Sequence, residues 1–193
     1  MPGATVVGLT YKDGVLLCGE KRIAYGTYIV SRSGKKVFKI TNSVGAAFAG
    51  MVADMQILVR EVSSYVKIRE MELRRPLPPN SVAKLMSVFM FERRYFPYLT
   101  QVVIGGINGT PSIYVLDPLG SVIPDEYAAV GSGAETAIGV VETGFTPGLT
   151  EKAAKELATK ALRAAIQRDA ASGDGIDFLT ISSKGQNEES IKF

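Results

Sequence analysis

The sequence predicts an α+β fold, two antiparallel sheets with helices packed outside them, and three observations carry that expectation. Apolar and β-branched runs come in blocks, giving the order strands, two helices, strands, two helices, strand. Helices do not separate every pair of strands, which argues against a doubly wound parallel sheet. Turn dipeptides sit between apolar runs at Asp13-Gly14 and Asn108-Gly109, as in antiparallel hairpins. A chain of 193 residues, 46% hydrophobic and 21% charged, is expected to form one domain with a sizeable core.

The elements follow in order. Ala4 to Thr10 reads as a short strand, Lys12-Asp13-Gly14 as a turn, and Val15 to Cys18 as the returning strand. Tyr28 to Val30 is a third strand, and Ser33 to Lys36 a turn before the strand Val37 to Ile40. Ser43 to Gly50, apolar and rich in small residues, reads as a buried strand. At Met51 the apolar period changes to that of a helix, carried by Val52, Met55, Leu58, Val59, Val62, Val66 and Leu73, largely on one face, and stopped by Pro76, Pro78 and Pro79. Asn80 is a candidate cap for a second helix, Ser81 to Tyr95, before Pro97. Strands then resume at Thr100 to Ile107, Ser112 to Leu116, Ser121 to Ile123 and Ala128 to Gly131. A short helix runs from Gly133 to about Thr143, and a longer one starts at a Thr150 cap and ends at Ser172-Gly173. Ile176 to Ser182 is the last expected strand. Residues 1–3 read as a short leading segment, 4–184 as the domain and 185–193 as a mobile polar tail.

Composition removes whole classes of chemistry. There is no His, which excludes Ser-His-Asp and Cys-His nucleophile systems and His-based zinc sites. A single Cys, Cys18, permits no intrachain disulfide and fits a reducing compartment. The net charge of +3 is too small a surplus for a nucleic-acid surface. The N-terminus lacks a secretory pattern, and Val44 to Ala53 is too short to cross a bilayer, so no membrane partner and a cytoplasmic location are expected. No phosphate loop is present, and Gly131-Ser132-Gly133 and Gly173-Asp174-Gly175 lack a dinucleotide loop's third glycine, so no cofactor is expected. Asp174 and Asp177 read either as cation ligands or as plain loop and capping residues.

Several stretches together carry a resemblance. They are A-T-V-V-G-L from Ala4, E-K-R from Glu20, G-K-K from Gly34, A-G at Ala49, R-Y-F-P-Y from Arg94, Y-V-L-D-P-L-G from Tyr114, G-S-G-A from Gly131 and R-D-A-A-S-G-D-G-I-D from Arg168. In this order and spacing they resemble an archaeal-type β subunit of the proteasome. The simpler bacterial dodecameric relatives lack the R-Y-F-P-Y and S-G-D-G-I-D stretches and fit less well. The resemblance implies the N-terminal nucleophile hydrolase fold, a four-layer αββα sandwich. It also implies assembly with other β subunits in a heptameric ring, contact with an α ring, and unfolded proteins as substrates. In that family an N-terminal Thr attacks the peptide carbonyl through its hydroxyl, and its free α-amine, with a pKa of about 7.7 to 8.0, takes the proton. No His is needed.

The resemblance assigns roles by position. Lys36 matches the lysine beside the nucleophile, Glu20 its acidic partner, and Gly50 the oxyanion-binding glycine. Ser132, Asp169 and Ser172 match the polar group around the amine. Ile23, Gly34, Phe48 and Val52 match the lining of the substrate pocket. Each has a plainer alternative. Lys35-Lys36 reads equally as a solvated turn pair, Glu20 with Lys21 and Arg22 as a surface ion cluster, and the two serines and Asp169 as turn and cap residues. The aromatic cluster Phe89, Phe91, Tyr95, Phe96 and Tyr98 reads as core or as subunit-contact surface.

One departure dominates. The family's nucleophile stands four residues before the glycine matched by Gly8, and that position is Ala4, which has no hydroxyl. Two classes of function follow. One is a structural β subunit that keeps the site's framework without peptidase activity. The other is a threonine-type endopeptidase subunit carrying an engineered Thr-to-Ala change, or one that uses Thr5 after cleavage. Thr5 is disfavoured because adjacent strand residues face opposite ways. Removal of Met1 by an aminopeptidase would still leave Pro2 and Gly3 ahead of Ala4.

Overall fold

The computed structural model describes residues 3–193; Met1 and Pro2, which belong to the leading segment expected at 1–3, lie outside the described residues. Among the described residues twelve strands and four helices follow one another, first as β1 Thr5–Tyr11, β2 Gly14–Glu20, β3 Ile23–Tyr25, β4 Tyr28–Ser31, β5 Val37–Lys39, β6 Val44–Gly50, α1 Val52–Leu73 and α2 Pro79–Glu92. The second half comprises β7 Thr100–Asn108, β8 Thr110–Leu116, β9 Ile123–Asp125, β10 Tyr127–Gly131, α3 Ala134–Gly144, α4 Glu151–Arg168, β11 Ile176–Ser182 and β12 Gly185–Ile191.

The strands form two five-stranded antiparallel sheets, ordered β10-β1-β2-β11-β12 and β5-β6-β7-β8-β9, with β3-β4 as a separate ribbon. Both expected hairpins are present, with Tyr11 opposite Gly14 and Asn108 opposite Thr110. Gly109 supplies the positive φ (+76°) that the second turn requires. The four-layer αββα sandwich of two sheets between helix layers follows from how each strand divides its side chains. On β1, Val6 faces the other sheet with Val15, Leu17, Ala47, Val103 and Leu179, while Val7 and Leu9 face α3 and α4 with Leu157, Ala161 and Leu162. On β6, Ala47 and Ala49 face inward, while Val44, Ala46 and Phe48 meet Met55, Leu58 and Met86 of α1 and α2. Three apolar clusters thus fill the three gaps between four layers. Among the described residues no helix is long and apolar enough to cross a membrane.

Several element boundaries differ from the sequence expectation, each for a local reason. The α2 helix begins at Pro79 rather than Ser81, with Pro in its first turn, where its missing N–H costs nothing. It stops at Glu92 rather than Tyr95, and the Arg93 N–H turns back to Met90 and Phe91 carbonyls. Thr150 caps α4 as expected, its hydroxyl accepting from the Ala153 N–H, but the helix ends at Arg168 with Asp169 as its C-cap. The expected mobile tail is largely a strand. Gly185–Ile191 pairs with all of β11, and its carboxylates are tied down, Glu188 to Lys35 and Lys39, Glu189 to Lys155.

Candidate functional site

Ser132, Asp169, Ser172 and Glu20 meet at the start of β1. Ala4 is fully buried, its side chain in the cluster between the sheets, and Thr5 opens the ladder opposite Gly131. The Ala4 N–H donates to Ser132 Oγ at 3.0 Å, and the Ser132 N–H donates back to the Ala4 carbonyl at 2.8 Å. Ser132 Oγ lies 2.5 Å from Asp169 Oδ2 and 3.3 Å from the Ala4 carbonyl, so its single proton belongs on Asp169. Ser172 Oγ donates to the same carboxylate oxygen at 2.7 Å. The Thr5 hydroxyl, 2.7 Å from Ser172 Oγ, is then the donor in that contact. A chain of hydroxyls therefore runs from both sides of the Ala4–Thr5 peptide onto Asp169, whose other oxygen accepts the Ala171 N–H at 3.1 Å.

The backbone around this chain is shaped by close approach. Gly131 has φ +107°, and a Cβ there would sit 2.0 Å from the Ala4 carbonyl oxygen. A Cβ at Gly133 would sit 2.3 Å from Thr5 Oγ1. The G-S-G turn is thus glycine on both sides of Ser132 because the first strand passes directly against it.

The second half of the site is a buried ion pair. Glu20, at the end of β2, is fully buried, and Lys36, just before β5, is 2% exposed. Lys36 Nζ donates to Glu20 Oε1 and to the Arg22 carbonyl. Glu20 Oε1 also accepts the Thr5 N–H at 3.2 Å, and Oε2 accepts the N–H groups of Arg22 (2.7 Å) and Gly173 (3.0 Å). One carboxylate therefore joins the first strand, the loop after β2 and the loop before β11. Burial is the largest influence on both members: it pushes the Lys36 ammonium below the ordinary lysine range and the Glu20 carboxyl above the ordinary carboxylate range, each opposed by the other's charge. Through Glu20 the pair reaches the Thr5 N–H, one residue from position 4.

Other expectations resolve individually. Gly50 ends β6 with φ +150°, and a Cβ there would lie 2.1 Å from the Leu99 carbonyl oxygen. The four residues matched to the substrate pocket fall into two pairs. Ile23 lies over Gly34, its Cδ1 2.5 Å from where a Cβ would stand. Phe48 is enclosed on the helix side of β6, with Val52 packed against the same cluster. Asp174 and Asp177 are each matched by a cation: Arg22 Nε donates to Asp174 Oδ2 at 2.8 Å, and Lys21 Nζ to Asp177. Asp174, in the loop before β11, and Asp177, within β11, thus act as ion-pair partners. Cys18 is no alternative nucleophile, because burial pushes its thiol far above the ordinary range.

Three groups take roles at the site that the sequence did not assign to them. Thr5 enters through its hydroxyl and its N–H, not as a terminus. Arg22 clamps the loop before β11, with Nη1 on the Ala170 carbonyl at 2.9 Å. Gln101, in β7, reaches across to the Gly131 N–H at 2.9 Å. The E-K-R run made Arg22 findable as a charge but not as a clamp, and nothing marked Gln101.

Residues 1–181 match the family model described as Proteasome subunit. The chain is 58% identical over 188 residues to "Proteasome subunit beta 1" of Cenarchaeum symbiosum, covering 97% of both chains. It is 57% identical over 194 residues to "Proteasome subunit beta 1" of Nitrosopumilus maritimus, covering 100% of this chain and 98% of the other. To "Proteasome subunit beta 2" of Caldivirga maquilingensis it is 47% identical over 189 residues, 97% of this chain and 94% of that one.

Proposed function

This chain belongs to the proteasome subunit family, as a β subunit of the 20S core, and we propose that it takes its place in the β ring without cleaving peptide bonds itself. The observation that carries this reading is the missing oxygen at position 4. Ser132 holds Ala4 from both its N–H and its carbonyl, yet the side chain is a methyl group. With no hydroxyl there, no bond can form to a substrate carbonyl, nor to the Gly3 carbonyl for self-cleavage. The Ala4 nitrogen is acylated by Gly3 and donates to Ser132 Oγ, so it is an amide with no basic lone pair to accept a proton.

In this reading the remaining residues hold a shape. Glu20 and Lys36 would stabilise a developing alkoxide if one existed, Ser132, Asp169 and Ser172 would orient a terminal amine, and the Gly50 N–H would face the oxyanion. Ile23, Gly34 and Val52 would line the substrate pocket, with Phe48, fully buried on the helix side of β6, backing it without touching substrate. The subunit sits in a heptameric β ring beside other β subunits and against an α ring, in the cytoplasm, and uses no cofactor. Unfolded proteins are degraded by a neighbouring active subunit.

The test is to assemble particles in which this chain is the sole β subunit, unchanged or as Ala4→Thr. The unchanged particles should hydrolyse peptides no faster than buffer. The Ala4→Thr particles should lose residues 1–3 and gain hydrolysis by at least about 10³-fold, the scale of restoring a missing nucleophile. Hydrolysis by the unchanged particles would contradict the reading.

A further inference from the structure

The inner face of β7 is apolar except at its first inward position. Val103 and the small Gly105 face the opposite sheet, where a Cβ on Gly105 would meet Val15 at 2.5 Å. By the same alternation Gln101, paired with Ala49 of β6, belongs to this row. A carboxamide between two apolar sheets is unfavourable unless its polar atoms find partners. Its Oε1 accepts the Gly131 N–H at 2.9 Å, and Gly131 belongs to the other sheet. This is a hydrogen bond from one sheet to the other, made at the end of the sandwich where Ala4 sits.

Gly131 is the last residue of β10 and the first of the turn that presents Ser132. β10 is the edge strand of its sheet, and because the Ser132 N–H donates to the Ala4 carbonyl, Gly131 faces Thr5 in a non-hydrogen-bonded pair with its N–H directed away from β1; the Ala4 carbonyl and the Ala49 methyl group crowd the place where its Cβ would be. Its N–H therefore needs an acceptor that comes from outside the ladder, and Gln101 supplies it. The next residue holds position 4 from both sides, through the Ala4 N–H and the Ala4 carbonyl.

We propose that Gln101 is a positioning residue: through Gly131 it fixes the turn that carries Ser132, and so sets the relation between Ser132 and whatever side chain stands at position 4. It touches neither the reacting atoms nor substrate. In the unchanged chain it keeps the site's framework ordered although no reaction uses it. The activity half of the test rests on the reading of position 4 given above; the structural half does not.

Gln101→Met keeps the volume and loses the oxygen, while Gln101→Glu keeps an acceptor at the same reach. In the otherwise unchanged chain, deuterium exchange of the 128–134 segment should be roughly tenfold faster or more in Gln101→Met and near that of the parent in Gln101→Glu. Equal protection in all three overturns the proposal. In the Ala4→Thr background, Gln101→Met should lower kcat about tenfold or more with KM little changed, and Gln101→Glu should recover most of it, since small misplacements of a reacting group are costly. An Ala4→Thr chain that is active and indifferent to Gln101→Met also overturns it. An inactive Ala4→Thr chain combined with the expected exchange pattern leaves Gln101 in its role and overturns instead the reading of position 4.

Discussion

Lys35 and Lys36 are neighbours in sequence and opposites in environment. The Lys35 side chain is 53% exposed and meets Glu188 at the surface, while Lys36 is buried on Glu20. Either could have been the solvated turn residue that a Gly-Lys-Lys run suggests, and only the resemblance singled out Lys36. The energetic consequence is large because removing one member leaves the other buried and uncompensated. Lys36→Met should destabilise the chain by about 3 to 5 kcal/mol in denaturant unfolding, and the double change Glu20→Gln with Lys36→Met should recover much of the loss. A single-variant loss below about 1 kcal/mol would show that the pair is not buried as described. Asp174 gives a pH signature. The Arg22 guanidinium hydrogen-bonded to it holds its carboxyl below the ordinary aspartate value of about 3.9. A folded pKa below the unfolded one contributes stability that is fully present above about pH 4 and is lost as pH falls through the folded value. The stability gap between the parent chain and Asp174→Asn should therefore narrow below about pH 4 and stay constant between about pH 5 and 7.

At the scale of elements, legibility followed the apolar period. The hairpins β1-β2 and β7-β8, the helices α1 and α4 and the strand β11 have one clearly apolar face, and the sequence shows each within a few residues. The ribbon strand β3 and the edge strand β12 do not. β12 reads G-Q-N-E-E-S-I, with no apolar alternation to see, because it is held by backbone pairing to β11 and by ion pairs rather than by burial of its own side chains. Charged side chains along an edge strand also block further pairing, which fits its place at the margin of the sheet. Deleting residues 185–193 should expose the edge of β11, lower the thermal midpoint by at least about 5 °C, at roughly 2 to 4 °C per kcal/mol for a chain of this size, and promote aggregation. An unchanged midpoint would mean that β12 adds nothing to the sheet.

For the molecule as a whole, the layer order was readable and the site was readable only in part. Strand and helix order suggested two antiparallel sheets with outer helices, and the three apolar clusters fill the gaps that this arrangement creates. The aromatic run divides between core and surface. Tyr98 is buried and Phe89 packs against the helix-side cluster, whereas Phe91, Tyr95 and Phe96 are exposed. Site residues far apart in sequence, such as Thr5 with Ser172 or Gln101 with Gly131, meet only because the two sheets and the loops at one end bring them together. No periodicity or spacing encodes such a meeting.

An intact mass of this chain, taken from an assembled particle, decides whether position 4 is inert. The account predicts a chain in which Gly3 is still joined to Ala4. A chain beginning at Thr5, in a particle that hydrolyses peptides, would contradict it and make Thr5 the nucleophile despite its hydroxyl now resting on Ser172.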